Sequence, residues 1–419
     1  MKRFASVLFA LPLLAGCSGS DEPSDVVACD PTLAGTICTV AGNGENGYDG
    51  DAALRALDAK MSLPQDMVKA SDGTLYILDW NNHRVRALGA DGVLSHVVGR
   101  GELGGSLDDP ANSDLNHPTA LLLSQDESTL LVAAWHNSKI RKVDLSSGEI
   151  SDECGDGRRG YFGDETAAAT ATLDLPASIA FHPSGDLVIL DQANQVIRRV
   201  DAEGVIHRLV GMCVTDKDVA CEGEPVQCPM GSGKFTCGDP MTECSKPCNP
   251  SYQVGDDVLA LRMAQPFGQS ADPGGRLAYD ADGNLYFADT ANHLIRRVTA
   301  AGAVEVVAGV EPVDGVAQSG TSPDGTPATE TLLNRPTDVA LGPDGALYFS
   351  DVYNHCIRQV ATDGNVYTVA GRCGEKGFEG DGASPTSALL KLPYGIELSG
   401  SALYIADTGN NRIRVVNLE

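Results

Sequence analysis

Nothing in this 419-residue sequence spells a familiar reaction centre. There is no G-x-S-x-G nucleophile turn, no H-E-x-x-H metal pair, and no GxGxxG following a strand in a βαβ context. Positive charge is scarce: 30 Lys and Arg stand against 57 Asp and Glu, a formal net charge of −27. A field of that sign repels phosphate backbones and argues against a nucleic-acid partner. It favours solubility and cationic partners, Ca²⁺ included. Long apolar runs are missing too, since the one that ends at Leu14 is too short to span a bilayer stably.

What the sequence does contain is a phrase repeated six times: a strand ending in Asp, a polar turn with Asn, then Ile or Val followed by Arg. Its copies are centred on Asp79, Ala134, Asp191, Asp289, Asp351 and Asp407, with Ala134 the departure. The interval from Asp191 to Asp289 is nearly double the others, so one unit carries a large insertion. The fifth copy shows the unit cleanly, with four apolar strands separated by Gly342-Pro343-Asp344-Gly345, the Asp351 turn and Thr362-Asp363-Gly364. Pro, Gly and Asp-Gly supply the dihedrals such turns need. Its strands read as near-continuous apolar runs, as expected when both faces pack on neighbours. A unit of this size buries its faces only by stacking, which predicts an all-β, six-bladed β-propeller. The last copy has three strands, and Thr36 to Gly42 matches the missing fourth, so the N-terminal segment is predicted to close the ring and remove exposed edges.

Leu403-Tyr-Ile-Ala-Asp-Thr-Gly-Asn-Asn-Arg-Ile-Arg414 and Leu285-Tyr-Phe-Ala-Asp-Thr-Ala-Asn-His-Leu-Ile-Arg296 resemble the NHL repeat almost letter for letter. The Gly-rich joints at Val40 to Gly44 and Tyr48 to Asp51 resemble those of bacterial and teneurin-like members. The resemblance covers about residues 36 to 419 and implies an NHL-repeat propeller. It does not single out a chemistry, because the family includes protein-, RNA- and ligand-binding modules as well as lyases and lactonases.

Residues 1–16 read as an export signal, with Lys2 and Arg3, an apolar stretch and small residues. Leu14-Ala15-Gly16-Cys17 resembles a bacterial lipobox, which implies cleavage before Cys17 and lipidation of its thiol. Residues 17–35 are expected to be the lipidated Cys and a solvated tether, and 36–419 the propeller. Ser18, where Asp is absent, resembles lipoproteins sent to the outer membrane. Of the 12 cysteines, Cys213, Cys221, Cys228, Cys237, Cys244 and Cys248 fall in the insertion, residues 212–250. In an oxidising compartment these predict a disulfide-stapled piece, with zinc the lesser alternative and the connectivity open. Cys356 with Cys373, and Cys29 with Cys38, are predicted pairs, which leaves Cys154 single.

The repeated Asp, Asn and Arg, and the slot shared by His83, His293 and His355, read as architecture because they recur. Linkers with helical promise, such as Ala52 to Lys60, share a rim with the Asp-x-x-Asn turns, and binding is usually placed on loops of that kind. Departures from the repeat mark the candidate site. On the innermost strands, near that rim, Asp66, Arg276 and Asp338 stand where small residues are usual, and Glu397 stands two positions on, where other copies carry Val, Leu or Ala. Buried charge implies salt bridges, a metal or water. Pairing of Arg276 with Asp338 or Glu397 is one expectation, and a ligand site, with Asp66, Asp338 and Glu397 holding Ca²⁺, is another. Two functions follow. The first is a lipid-anchored cell-envelope binding module, expected to be monomeric, for an envelope or extracellular protein or glycan. The alternative is a metal-dependent lactonase or lyase resembling gluconolactonase or α-amidating-lyase relatives, although no His falls at the channel positions.

Overall fold

The computed structural model describes residues 29–107, 113–214, 226–227, 234–236, 257–266 and 272–418. Six sheets, one per repeat, form a closed ring. In blade five, Pro336–Leu341, Leu347–Asp351, Cys356–Val360 and Asn365–Ala370 follow one another as an antiparallel meander from the axis outward. Blade six is built from both ends of the chain. Ile37–Ala41 lies antiparallel to Arg412–Asn417, with Ile37 opposite Val416 and Thr39 opposite Arg414, so the predicted closure is present.

Among the described residues an apolar cluster fills each of the six junctions between blades, and Tyr161 with Val196 makes a small additional pair. Between blades four and five, for example, Ala288, Ile295 and Ala308 meet Val339, Phe349 and Val366. Both faces of each sheet are therefore buried, which explains the unbroken apolar runs. Truncating a side chain such as Phe349 to Ala would be expected to cost about 3–5 kcal/mol.

The repeated Asp and Arg are buried and hold the rim of each blade together. Asp351 accepts the backbone N–H of Asn334 on one oxygen and the amide of Asn354 on the other, and Arg358 lies 3.7 Å away. The same set recurs around Asp79, Asp191, Asp289 and Asp407, with the Arg 2.7–3.8 Å away. Blade two, which has Ala134, turns to Asn137 instead. Its Oδ1 accepts the N–H of Asn116, and Arg141 donates to the carbonyls of Ser106 and Asp114.

The slot shared by His83, Ser138, Gln195, His293, His355 and Asn411 is left-handed in every blade, with φ between 52 and 59°. Except at Ser138, its side chain bonds to backbone of the next blade. His355 Nδ1 accepts the N–H of Leu392, Gln195 accepts that of Gln265, and Asn411 that of Leu63. Close packing of the backbone fixes Gly99, whose φ is +97° and where a Cβ would lie 2.2 Å from the carbonyl of His83.

Two details differ from expectation. Among the described residues the helical pieces are all three-residue 3-10 turns. The linker around Ala52 to Lys60 forms a short strand, Leu54–Arg55, and one such turn, Ala56–Asp58. The strand pairs with the outer strand Val93–Val98, covering an edge that would otherwise face water. Backbone pairing at that edge outweighs the helical preference of so short a segment. Blades three and five gain a fifth strand in the same way.

Disulfides join Cys29 to Cys38 and Cys356 to Cys373, and Cys154 is a buried free thiol. Within the insertion, Cys213–Val214, Val226–Gln227 and Lys234–Thr236 make a small three-stranded sheet. The remaining insertion cysteines, from Cys221 to Cys248, and Cys17 with the N-terminal stretch, lie outside the described residues.

Candidate functional site

Each blade contributes its innermost strand to the axis. Because Asp66, Arg276 and Asp338 stand near the start of these strands, their side chains meet at one level. Arg276 of blade four crosses to blade one, where Nη1 is 2.6 Å from Asp66 Oδ2, and Nη2 donates to the carbonyls of Gln65 and of Thr119 in blade two. All of these charges are buried. Burial pulls the Arg276 guanidinium toward a lower pKa, but the Asp66 and Asp338 carboxylates outweigh it and favour the charged form.

This pairing corrects the expected one. Arg276 is bonded to Asp66, because the oxygens of Asp338 and Glu397 are drawn to neighbouring backbone. Asp338 accepts the N–H of Ile396 in blade six at 2.8 Å, and that of Val339 in its own strand. Glu397 accepts the N–H of Lys69 in blade one at 3.1 Å. Asp66 also accepts the N–H of Leu121 in blade two, and Ser178 Oγ that of Leu277 in blade four. The axial polar side chains thus stitch consecutive blades together. Gly395, the blade-six residue at this level, lets the backbones close in, since a Cβ there would sit 2.4 Å from the carbonyl of Gln65.

The charged layer forms the floor of a cavity of about 310 Å³. From Asp66, Ser178, Arg276 and Asp338 its walls run along the inner strands to Phe181, Tyr279, Leu341 and Leu398, beside the hairpins that join first and second strands. The cavity therefore lies on the side of the floor away from the Asp-turn rim. Glu397 stands in its wall, above the floor and half-buried. Burial pushes its carboxyl up to about 8, against the pull of the Lys69 N–H, and Asp66 and Asp338 push it further. Burial likewise lifts Asp338 to about 7, although Arg276 opposes it. Among the described residues, no group of three or more His, Cys, Asp or Glu side chains is placed to hold a metal ion, so Asp66, Asp338 and Glu397 share the cavity without forming the expected Ca²⁺ set.

On the opposite face the structure assembles a group that sequence reasoning missed. Both tryptophans of the chain follow a strand-ending residue of the repeat, Trp80 after Asp79 and Trp135 after Ala134. With His83, His117 and His136 they form one cluster between blades one and two. The His117 ring lies 4.7 Å from Trp80, 4.4 Å from His83 and 4.9 Å from His136, and Trp135 stacks on His136 at 4.3 Å. Trp80, His117 and His136 are half-exposed on the rim. The available signal was that both Trp occupy one repeat position in adjacent blades.

Comparison with known proteins agrees with this architecture. Residues 282–417 match the Teneurin NHL domain family. Teneurin-3 of Mus musculus is 27% identical over 398 residues, 85% of this chain and 12% of that protein. Teneurin-1 of Gallus gallus is 24% identical over 400 residues, 86% of this chain and 13% of that protein. Protein SUPPRESSOR OF QUENCHING 1, chloroplastic, of Arabidopsis thaliana is 27% identical over 324 residues, 75% of this chain and 26% of that protein. The chain thus spans about an eighth of the length of the teneurins it matches. Among solved structures, a protein of unknown function from Bacteroides thetaiotaomicron superposes with a TM-score of 0.59 at 16% identity, over 91% of this chain and 75% of that one. An auxiliary nutrient binding protein from the same organism gives 0.57 at 16% identity, over 90% and 75%. These two likenesses show a shared fold.

Proposed function

We propose that this chain, an NHL-repeat six-bladed β-propeller, is an extracytoplasmic binding module, tethered to the cell envelope through a lipidated Cys17 and facing an extracellular protein or glycan with its Asp-turn rim. The observation that carries this reading is the Trp80–His117–His136 surface on that rim. Trp is enriched in the energetic centres of interfaces, and a rigid ring holds these side chains in place. Blade three ends with Val205–Val210, whose last residue lies opposite Ile197 beside the Asp191 turn, so residues 212–250 start from the same rim. Two disulfides suit an oxidising compartment, and Lys2, Arg3 and the Leu14-Ala15-Gly16-Cys17 stretch support export and anchoring. Ser18, like the residue after the lipidated Cys in lipoproteins sent to the outer membrane, supports a place there. The lactonase or lyase alternative has less support, because Asp66 and Asp338 are committed to Arg276 and backbone N–H groups, and no His among the described residues lines the axial cavity.

The test is a pull-down from native envelope and a glycan array, using the full chain, a variant lacking residues 212–250, and Trp80→Ala with His136→Ala. Retention of a partner by the full chain and its loss in either variant is expected. Equal retention by all three, or none by the full chain, would sink the rim reading. Cys17→Ala is expected to release the protein from membrane fractions.

A further inference from the structure

The axial cavity is independent of the rim and has its own chemistry. Three carboxyls face or floor it, Asp66, Asp338 and Glu397, against one guanidinium, Arg276, which Asp66 already engages. Among the described residues no basic group pairs with Glu397. The nearby Lys69 ammonium is turned away, bonded to the carbonyl of Gly73 and lying over the Tyr404 ring. Apolar residues of the inner strands, among them Val68, Ala180, Ala278 and Leu398, contribute to the rest of the lining, with Phe181 of blade three and Tyr279 of blade four at its hairpin end.

We infer that the axial cavity binds a small organic ammonium ion, with Glu397 as its counter-ion and the aromatic and aliphatic wall around its apolar body. Charge decides the sign, because Asp338 and Glu397 accept only backbone N–H groups and, among the described residues, have no ion-pair partner of their own, so that once ionised they repel an anion and are answered by a cation. The wall decides against a bare metal ion, since no group of three His, Cys, Asp or Glu side chains among the described residues is placed to hold one. An ammonium ion bearing carbon needs one carboxylate, and the apolar residues of the inner strands accommodate its carbon. The volume is at the small end of ligand pockets, which span about 300–1,000 Å³.

The inference also fixes a proton response. Glu397 holds its proton up to about pH 8 in the empty cavity, so binding a cation requires the proton to leave. With a permanently charged ligand, affinity should rise about tenfold between pH 7 and 9 and level off above.

Titration calorimetry on the whole protein provides the test, with tetramethylammonium and benzylammonium as probes, and benzyl alcohol and benzoate as neutral and anionic counterparts. We expect both cations to bind, benzyl alcohol to bind at least tenfold more weakly than benzylammonium, and benzoate not at all. Glu397→Gln, whose amide oxygen still accepts the Lys69 N–H, should lose at least tenfold for the cations and flatten the pH response. Should that variant fail to fold, Ala340→Phe, which fills the cavity without touching the charged floor, should abolish binding in its place. Absence of cation binding at millimolar concentration, equal binding of benzyl alcohol, or a pH-independent affinity for tetramethylammonium would each overturn the inference. Amine binding by a chain that retains no envelope partner would leave it standing while sinking the rim reading.

Discussion

His293 ties blade four to blade five, its Nδ1 accepting the backbone N–H of Arg335 at 2.9 Å. That bond needs a neutral imidazole. Burial, reinforced by the positive charge of Arg335, pushes His293 down to about 4, whereas the unfolded chain protonates near 6.5. Stability from this latch is therefore full above pH 6.5 and is lost as the pH falls toward 4, because the unfolded chain takes up the proton first. His293→Gln should keep the bond, as Gln195 does to Gln265 at 2.7 Å, and lose less stability over that range. Buried repeat carboxylates titrate in the opposite sense but are common to both proteins, so the difference isolates the imidazole. Denaturant midpoints at pH 7 and 4.5 provide the check, and a parallel fall in both proteins would contradict it.

Removing Arg276 leaves Asp66 buried without its cation. Arg276→Met should cost about 3–5 kcal/mol, and the added change Asp66→Leu should recover part of it. Chemical denaturation measures both. A single-variant loss under about 1 kcal/mol would mean that water reaches the floor.

Gly99 and Gly73 have nearly equal φ, +97° and +95°, but Gly73 faces open space. Gly73→Ala should cost only the left-handed penalty of about 1–2 kcal/mol. Gly99→Ala should cost clearly more, because its Cβ strikes the His83 carbonyl. Equal midpoints for the two variants would show that the close approach relaxes freely.

Metal removal is expected to be silent at the axis. With the oxygens of Asp66 and Asp338 committed to Arg276 and backbone, chelator or millimolar Ca²⁺ should leave the melting temperature of the protein unchanged. A rise of several degrees with Ca²⁺ that Asp338→Asn abolishes would restore the calcium reading.

A chain starting at Gly44 lacks Ile37–Ala41 and exposes the edge of Arg412–Asn417. It should aggregate or melt well below the parent in light scattering and calorimetry. Melting at the parent temperature would remove this expectation.

The ring was legible because it is periodic. Six copies of one phrase, with a missing strand recovered at Thr36 to Gly42, define blades and closure, and the spacing within blade five pointed to the Cys356–Cys373 pair. The partner of Arg276 was not legible. Sequence placed three carboxyls near it, but the choice among them depends on which blade lies across the axis and which backbone N–H groups claim the others. Glu397 was marked by its departure from the pattern, while its position on the far side of the floor from the rim depended on strand direction around a closed ring. The Trp80–His117–His136 cluster was missed because its members come from two repeats and from a residue just before Pro118, where no single copy shows a motif.

Ile37–Ala41 is made before blades one to five, and its partner Arg412–Asn417 after them. Blades one to five can form in order as the chain emerges, each from its own hairpins. Blade six has to wait for Arg412–Asn417, holding one unpaired strand in reserve while the five blades between are added. A contact of such sequence separation is slow to form. The rate-limiting event in folding this protein is therefore expected at the seam, and an export pathway that delivers the chain unfolded and in one piece suits it better than folding during synthesis.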